Sequence, residues 1–379
     1  MGNLATKSVE ERIRVLHVID SFDLGGAQAV LLNWLKYHDR SKFAVEIATF
    51  HATEQSLFMH RMRELRIPLH VLGSRRWLPT HVFKLGWLVV RNRYSVVHCH
   101  LYASNWIGKP IARLAGVPAI IAHDQCNDML RMKSRLVCLI DRCTNRCADA
   151  IIAVAESIKE FLIRCEQIPE AKIHILPNGV AESSSTVSRS AAGGVIGGAG
   201  RLTRQKNFHK FLAIARALKA LDRKYRFRIA GSGPLQAELK RCADSLGIEV
   251  DWLGELTSLD PFFSEIDLFL LTSDFEGLPM VIIECLQRGV PVAATAVDGV
   301  REQLADAVLL ISPEADIRES ARHIHELLSD SEQLSRSIVK GRRLVDERFS
   351  AKRQIAEIEG LYLRILAARD LKTRASAQL

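Results

Sequence analysis

Short apolar segments rich in valine and isoleucine recur along the chain and alternate with amphipathic segments. A short, unbroken apolar run is typical of a strand that is covered on both faces of its sheet. The first half holds seven such runs, which predict strands at 13–20, 43–50, 68–72, 96–100, 119–124, 150–156 and 172–178. Segments between them, such as AQAVLLNWLKYH and SNWIGKPIARLAG, have the apolar spacing of helices. Alternating strands and helices predict a parallel sheet with helices on both faces.

The composition changes at residues 181–194, AESSSTVSRSAAGG, which are small and polar and predict a linker. The alternating pattern then restarts, with strands predicted at 195–200, 226–231, 250–255, 267–273, 291–295 and 307–312. The predicted fold class is therefore α/β, with two Rossmann-like parallel-sheet domains. Residues 1–180 form the first domain in this interpretation, and residues 195–350 form the second. The last segment, 351–379, has the pattern of a long helix that packs back on the first domain.

Polar residues at the ends of these strands are the candidates for chemistry, because open parallel sheets bind ligands at the carboxyl ends of their strands. Gly25 and Gly26 follow the first strand and open a helix, where free N–H groups would face a ligand. A tight strand–helix turn is the alternative explanation of these glycines. His123 ends the fifth strand, where it either faces a cleft or is a satisfied core residue.

Two cations follow the first strand of the second half, in GRLTRQKNFHKFLAIARAL. Arg201 and Lys206 lie in the predicted loop, and Asn207 is placed to cap the helix that follows. Cations beside a helix N-terminus are suited to a diphosphate, because the side chains and the free N–H groups both stabilise negative charge.

The segment DFEGLPMVIIECLQRG carries two carboxylates eight residues apart. Pro279 suits the first position of a helix, and Gly289 suits its C-terminal cap. Glu276 would then lie in the turn, and Glu284 would lie within a helix that is apolar nearly all round and therefore buried. A carboxylate there can accept hydrogen bonds from a vicinal diol such as ribose. Pairing of Glu284 with a buried arginine or lysine is the alternative.

In this order, these segments resemble the donor-domain motifs of glycosyltransferase family 4, a family of retaining enzymes with the GT-B fold. GRLTRQKN and FEGLPMVIIE carry the resemblance, the second as the Glu-x7-Glu element, and GGAQ, VVHCH, AHD, ILPNGV and RIAGSGP agree with it. The resemblance spans nearly the whole chain. It implies two Rossmann-like domains that face a cleft, with the acceptor held by the first domain and a nucleotide-sugar by the second.

The resemblance implies a role for each matching residue. Arg201 and Lys206 would bind the donor diphosphate. Glu284 would hold the ribose hydroxyls, Glu276 would contact the transferred sugar, and His123 would lie beside its reacting face. Further substrate contacts are implied at Gly25, Gly26, Gln28, Asn178, Gly277, Leu278 and Pro279. Gln28 stands where many relatives carry glutamate, so an acid role at this position stays open.

The chain contains no Asp-x-Asp, the element with which GT-A enzymes commonly hold a metal ion. We therefore expect no metal and no cofactor, and we expect the two cations to stabilise the charge of the leaving diphosphate. The expected donor is a UDP-sugar, and a guanine nucleotide-sugar is the alternative. A nucleotide-sugar epimerase of the same fold, which would release a free sugar without an acceptor, is the alternative.

The net charge of +9 lies almost entirely in the first half of the chain. Residues 1–190 hold 25 Lys and Arg against 17 Asp and Glu, and their densest basic part is 61–94. Its cations are mixed with Trp77, Phe83 and Trp87, the composition of a helix that lies on an anionic membrane. We expect a lipid-linked or anionic glycan acceptor, as in the assembly of surface polysaccharides. A solvated basic face is the alternative.

A basic nucleic-acid-binding protein is a further alternative, but no recognised nucleic-acid motif is present and the two glutamates disfavour a phosphate groove. Nucleic acid is therefore not expected as a partner. The eight cysteines are scattered and lack zinc spacing, which indicates reduced thiols in a cytosol. We expect a cytoplasmic protein, peripheral at the inner face of the cytoplasmic membrane.

Overall fold

The structure is a computed structural model that describes residues 12–21, 26–52, 57–73, 79–125, 134–182 and 194–376. The chain divides into two compact units. The first unit comprises Met1–Gly179 together with Ala351–Leu379, and the second comprises Val180–Ser350. The predicted linker at 181–194 lies outside the described residues except at its two ends.

The first unit is built on a sheet of seven strands. These are β1 Ile13–Ser21, β2 Phe43–His51, β3 Leu69–Val71, β4 Val96–His100, β5 Ala119–Asp124, β6 Ala150–Ala153 and β7 Ile173–Ile175. Their order is β3-β2-β1-β4-β5-β6-β7, and every neighbouring pair is parallel. The strand order reverses between β1 and β4, which is where open sheets of this kind bind ligands.

The second unit repeats this plan with six strands. These are β8 Val195–Ala199, β9 Arg226–Ala230, β10 Val250–Gly254, β11 Leu268–Leu271, β12 Val292–Thr295 and β13 Leu309–Ile311. The order is β10-β9-β8-β11-β12-β13, again all parallel, with the reversal between β8 and β11. All thirteen predicted strands are present and end within three residues of their predicted limits. The predicted α/β architecture of two parallel sheets is confirmed.

Helices connect the strands and cover both faces of each sheet. Among the described residues they are α1 Gly26–Tyr37, α2 Leu57–Leu65, α3 Pro79–Asn92, α4 Tyr102–Leu114, α5 Arg135–Asn145, α6 Glu156–Arg164, α7 Phe208–Leu221, α8 Gln236–Leu246, α9 Asp260–Glu265, α10 Met280–Arg288, α11 Asp298–Leu304, α12 Ile317–Ser329, α13 Ser331–Arg348 and α14 Ala351–Ser376. In the part of the chain that the structure describes, none of the helices combines the length and the apolar character that crossing a bilayer requires.

The first sheet separates two apolar layers. Val15 and Ile19 of β1 point to the layer under α1 and α14, whereas Leu16 and Val18 point to the layer under α3 and α4. This alternation follows from the two-residue period of a strand. The last helix is part of the first layer, because its Tyr362 is fully buried there. The segment after residue 350 therefore packs on the first unit rather than on the second.

Candidate functional site

The carboxyl ends of β8 and β11 lie side by side at the reversal point of the second sheet. The loop after β8 carries Arg201 and Lys206, and the loop after β11 carries Glu276. Gly200 has φ 149°, and a Cβ atom on Gly231 would lie 2.0 Å from the Gly200 carbonyl oxygen. Only glycine permits this approach of two backbones. The sheet topology thus brings the predicted cations and the first predicted carboxylate to one edge.

Lys206 and Glu276 contact each other directly. Lys206 Nζ donates to Glu276 Oε1 at 2.5 Å, and Ser273 Oγ donates to the same oxygen at 2.6 Å. Thr272 Oγ1 donates to the Lys206 carbonyl oxygen at 3.2 Å, which ties the two loops together. The side chain of Arg201 is exposed and makes no hydrogen bond or ion pair with any residue the structure describes. One cation is therefore neutralised by a carboxylate, and the other is available to an anion.

Asn207 caps α7, as the sequence predicted. Its side-chain oxygen accepts from the Lys210 N–H at 3.2 Å, and its backbone is left-handed with φ 44°. Asparagine tolerates this conformation better than most residues. Its Nδ2 also donates to Asp274 Oδ1 at 2.7 Å. The cap therefore fixes the loop of Lys206 against the loop after β11.

The helix after the second loop begins one residue later than predicted. Pro279 is the N-cap of α10 with ψ 103°, so the prediction that it occupies the first helical position is wrong. Proline fixes φ but leaves ψ free, so its φ of −73° fits either position. Gly289 caps the other end with φ 76°, as predicted. The amides of Gly277 and Leu278 donate to no described residue, which leaves both available to a ligand.

Glu284 lacks the ion pair that was the alternative to a binding role. Its carboxylate makes no hydrogen bond or ion pair within the described ranges, and Arg288, one turn away, pairs with Asp260 at 2.5 Å instead. Burial raises the pKa of Glu284 to about 7, although the nearby Arg288 charge acts in the opposite direction. The side chain keeps partial contact with solvent. A mostly buried carboxylate with free lone pairs is suited to hydroxyl donors from a ligand.

In the first unit, His123 is the last residue but one of β5 and is 1% exposed. The rings of His98 and His100 each lie 5.4 Å from its ring, measured between centroids. Neither nitrogen of His123 hydrogen-bonds to a described residue. Burial lowers the pKa of His123 to about 4, against the opposing charge of Asp124, so the ring is neutral near pH 7. This state suits a hydrogen-bonding role rather than that of a permanent cation.

The remaining substrate contacts that were predicted in the first unit differ in their exposure and in their protein partners. Gly25 lies outside the described residues, and Gly26 is the exposed first residue of α1. Gln28 is buried, and its Nε2 donates at 2.8 Å to the carbonyl oxygen that ends β1. Asn178 is buried and accepts from Gln354 Nε2 at 3.3 Å. Gln28 and Asn178 thus have protein partners here, and substrate contact by either stays a prediction.

A polar cavity beside His123 was missed by the sequence prediction. Its volume is about 60 Å³, and α4 and α5 line it with side chains that include Asn105 and Lys109. Lys109 is 1% exposed and donates to Asn145 Oδ1. Burial lowers the pKa of Lys109. The signal in the sequence was a lysine on the inner face of SNWIGKPIARLAG, where an apolar residue would be ordinary.

Asp20 lies near the end of β1, at the reversal point of the first sheet, and the sequence analysis did not single it out. It accepts from the N–H groups of Ala103 and Ser104 at 2.9 and 2.7 Å, and from Ser104 Oγ at 2.5 Å. Leu101, just before, has φ 69° and ψ −171°, a conformation that is essentially restricted to glycine. Backbone strain of this kind persists where the surroundings over-determine it. Here the Asp20 hydrogen bonds hold the start of α4 at the edge where His123 lies.

Two family models match the chain, one in each half. Residues 24–184 match Glycosyltransferase Family 4, and residues 192–344 match Glycosyl transferases group 1. Together the two matches cover most of the sequence. The boundary between them falls in the segment where the composition changes.

Curated proteins of this kind are similar over most of their length. The chain is 28% identical over 301 residues to the putative glycosyltransferase EpsF of Bacillus subtilis, with 73% of this chain and 78% of that protein covered. It is 27% identical over 320 residues to the UDP-Gal:alpha-D-GlcNAc-diphosphoundecaprenol alpha-1,3-galactosyltransferase of Escherichia coli, with 77% and 82% covered.

Solved structures agree on the fold. HepE of Anabaena in complex with UDP and glucose superposes with a TM-score of 0.79 at 20% identity, covering 92% of this chain and all of that one. The sucrose-phosphate synthase of Thermosynechococcus elongatus gives a TM-score of 0.77 at 17% identity, covering 94% of this chain and all of that one. With matched family models in both halves and two parallel sheets in the corresponding order, the chain belongs to the group 1 glycosyltransferases of family 4 and has the GT-B fold.

Proposed function

We propose that the protein is a retaining glycosyltransferase that moves a sugar from a UDP-sugar to a lipid-linked glycan acceptor without a metal ion. The observation that carries this proposal is the edge of the second sheet, where the loops after β8 and β11 carry Arg201, Lys206 and Glu276 and the last two are in direct contact. An exposed cation, a cation paired with a carboxylate, and two free amides provide groups for a diphosphate and for a sugar hydroxyl.

The donor residues act on the charge that develops when the nucleotide–sugar bond breaks. Arg201 and Lys206 stabilise the leaving diphosphate, and the amides of Gly277 and Leu278 add uncharged donors. Glu276 accepts a hydrogen bond from the sugar, and Glu284 accepts from the ribose diol. These cations take the place of the divalent metal that other transferases use for the same charge. Loss of Arg201 alone should lower the rate by about 10²–10³, the effect of removing one oxyanion donor.

Retention of configuration follows in this proposal from a front-face route. The acceptor oxygen forms a bond to the anomeric carbon as the bond to the diphosphate oxygen breaks, and the acceptor proton moves to that diphosphate. No side chain forms a covalent bond to the sugar. The neutral His123 hydrogen-bonds to the sugar beside the reacting face. A trapped glycosyl adduct on any side chain would contradict this route.

The acceptor is proposed to be lipid-linked, because two relatives named for such acceptors are similar over most of the chain. One is the Escherichia coli galactosyltransferase described above, and the other is an N-acetylgalactosaminyltransferase of Campylobacter jejuni named for a diphosphoundecaprenol-linked glycan, 27% identical over 289 residues. In the described part of α3, Phe83, Trp87 and Val90 are 76%, 61% and 63% exposed. Their spacing puts them on one face of the helix, and Arg91 lies 4.9 Å over the Trp87 ring. An exposed apolar stripe beside cations is typical of a helix that binds an anionic lipid surface.

The donor half of the proposal is tested by thermal unfolding with UDP, GDP, ADP or a duplex oligonucleotide, each in EDTA. UDP at 100 times its Kd should add about 2.7 kcal/mol, a rise of roughly 5–10 °C at 2–4 °C per kcal/mol. Arg201→Met should remove most of this shift, whereas Arg204→Met, a change at an exposed neighbour, should not. A shift with the oligonucleotide alone would contradict the proposal. Release of a free sugar from UDP-sugars without any acceptor would favour the epimerase.

The membrane half is tested by co-sedimentation with phosphatidylglycerol-containing vesicles and with phosphatidylcholine vesicles. The wild type should bind the anionic vesicles, and Phe83→Ser with Trp87→Ser should abolish this binding. Leu371→Ser is the matched control, because Leu371 is 68% exposed on α14 of the same unit. Equal binding to both kinds of vesicle, or binding to neither, would contradict the proposed surface.

A further inference from the structure

Four histidines form a continuous layer on one face of the first sheet. His17 lies on β1, His98 and His100 lie on β4, and His123 lies on β5. The strand register places His17 beside His98, and His100 beside His123. Each of the four is at most 2% exposed. Trp34 of α1 covers the layer, with its ring 4.3 Å from that of His17 between centroids.

Three of these side chains converge on a common point. One ring nitrogen each from His17, His98 and His100 lies within 4.8 Å of those from the other two. His17 Nδ1 and His100 Nε2 share a hydrogen bond of 2.8 Å. No other group of histidine, cysteine and carboxylate side chains in the described ranges meets the same criterion.

The hydrogen bonds of these rings are incomplete. The shared bond uses one nitrogen of His17 and one of His100, and the remaining nitrogens, His17 Nε2 and His100 Nδ1, have no partner among the described residues. His98 Nε2 has none either. Buried polar atoms are almost always satisfied, so the free His98 Nε2 indicates an ion or ordered water. His17 Nε2 and His100 Nδ1 are the ring nitrogens opposite to those that face each other in the shared bond.

The ring of His98 is held in an orientation that suits a metal-binding imidazole. His98 Nδ1 hydrogen-bonds to the hydroxyl of Tyr362 at 2.5 Å, which leaves Nε2 as the free nitrogen. In metal sites, a second group commonly fixes a ligating histidine through its other ring nitrogen. Tyr362 comes from α14 and is fully buried, so its hydroxyl position is fixed by the packing of that helix.

We propose that His17, His98 and His100 bind one transition-metal ion of the class that prefers imidazole nitrogen, such as Zn²⁺, Co²⁺, Ni²⁺ or Cu²⁺. Three histidines are the protein ligands of a tetrahedral site whose fourth position is open. Two nitrogens at about 2.0–2.1 Å from a tetrahedral ion lie about 3.4 Å apart. Metal binding would therefore break the hydrogen bond between His17 Nδ1 and His100 Nε2. The distance between these two nitrogens would increase only from 2.8 Å to about 3.4 Å. Mg²⁺ and Ca²⁺ are not expected, because they prefer oxygen ligands.

This site is independent of the proposed sugar transfer. All three ligands belong to the first unit, and none of the residues proposed to hold the diphosphate takes part. The ion joins β1 to β4 at the reversal point of the sheet and, through Tyr362, joins both strands to the last helix. Its expected role is therefore to stabilise the first unit.

The test is the metal content of the full-length chain, expressed without a histidine tag in medium supplemented with Zn²⁺ or Co²⁺ and purified by gel filtration. Loading during expression is used because the site is closed in the folded chain. About one equivalent of metal per chain is expected. The cobalt form should show the visible absorption of a low-coordinate site, and X-ray absorption should show imidazole nitrogens at about 2.0–2.1 Å.

Two variants separate this site from exposed histidines. Tyr362→Phe keeps all three ligands but removes the orienting hydroxyl, and it should weaken metal binding by about 10–100-fold in competition with a chromogenic chelator. His98→Gln should lose the metal. His60→Gln is the control, because His60 is an exposed histidine of the same unit, and it should bind as the wild type does.

Less than about a tenth of an equivalent of metal in the wild type would overturn the proposal and would assign the nitrogens to ordered water. Equal metal content in the wild type and in His98→Gln would overturn it too, because the ion would then be held elsewhere. The wild-type metal content and X-ray absorption decide the question even if a variant does not fold.

Discussion

Replacing Glu284 with glutamine should stabilise the ligand-free protein above neutral pH and weaken its binding of UDP. Burial raises the pKa of this carboxyl from 4.5 to about 7. The folded chain therefore holds a proton that the unfolded chain has released between these two pH values. The unfolding free energy falls as pH rises through this window, because the folded state binds more protons there. The penalty is absent well below pH 4.5 and complete above pH 7.

The size of the penalty follows from the pKa shift. A shift from 4.5 to about 7 corresponds to about 3 kcal/mol, at about 1.4 kcal/mol for each pKa unit. This is an upper value, because the partial exposure of Glu284 screens its charge. Glutamine keeps the shape of the side chain without its charge. The free energy of unfolding of the variant should therefore exceed that of the wild type by up to ~3 kcal/mol at pH 8 and by almost nothing at pH 4.5. For a unit of this size the gain is on the order of 6–12 °C.

Calorimetry at both pH values measures this gain, and the endotherm that UDP is expected to shift in the wild type should identify the second unit. Glu249→Gln, a change at an exposed glutamate of the same unit, is the control and should behave as the wild type does. UDP binding by isothermal titration at pH 8 should weaken in Glu284→Gln, because a neutral amide is a poorer acceptor for the ribose diol. A gain that does not depend on pH would refute the burial argument, and unchanged UDP affinity would refute the ribose assignment.

Three further predictions concern other parts of the chain. Arg201→Met should lower kcat/KM by about 10²–10³ while Arg204→Met changes it little, measured with UDP-sugar turnover in EDTA. Gly299→Ala should weaken UDP binding and lower the melting temperature, because its Cβ would lie 1.4 Å from the Gly277 carbonyl oxygen, and titration with calorimetry will measure both. Glu46→Gln should destabilise the first unit near pH 7 and lose this effect as pH falls from 4.5 to about 2. Burial alone would raise the Glu46 pKa, but hydrogen bonds from His70, Tyr94 and Arg14 outweigh it and lower that pKa to about 2, and denaturation at several pH values tests the window.

The strands were accessible from the sequence because buried parallel strands leave unbroken apolar runs. The same holds for the caps, since Asn207 and Gly289 are residue types whose backbone preferences fix their positions. The order of the strands in each sheet was not predicted and comes from the structure. The position of Pro279 was one residue off, because a fixed φ does not determine where a helix begins.

The sequence does not show which side chains from distant parts of the chain contact each other. Nothing in the local pattern pairs Lys206 with Glu276, which are 70 residues apart. The same is true of the hydrogen bond between His98 and Tyr362, at a separation of 264 residues. Cys99 lies between His98 and His100 in VVHCH, and only the pleat of β4 puts both imidazoles on the face opposite to it. Contacts of this kind follow from topology and register rather than from local composition.

The pairing of Lys206 with Glu276 has a consequence for the proposed donor site. Glu276 is 9% exposed at its side chain, so this carboxylate needs a compensating partner wherever the lysine points. In the proposed site, a diphosphate alone would draw Lys206 toward the phosphate oxygens and would leave Glu276 with only the Ser273 hydroxyl. A complete nucleotide-sugar would supply hydroxyl donors to Glu276 at the same time. We infer that the sugar adds to affinity partly by restoring the hydrogen bonds of this carboxylate, so the pair favours the intact donor over the free nucleotide product.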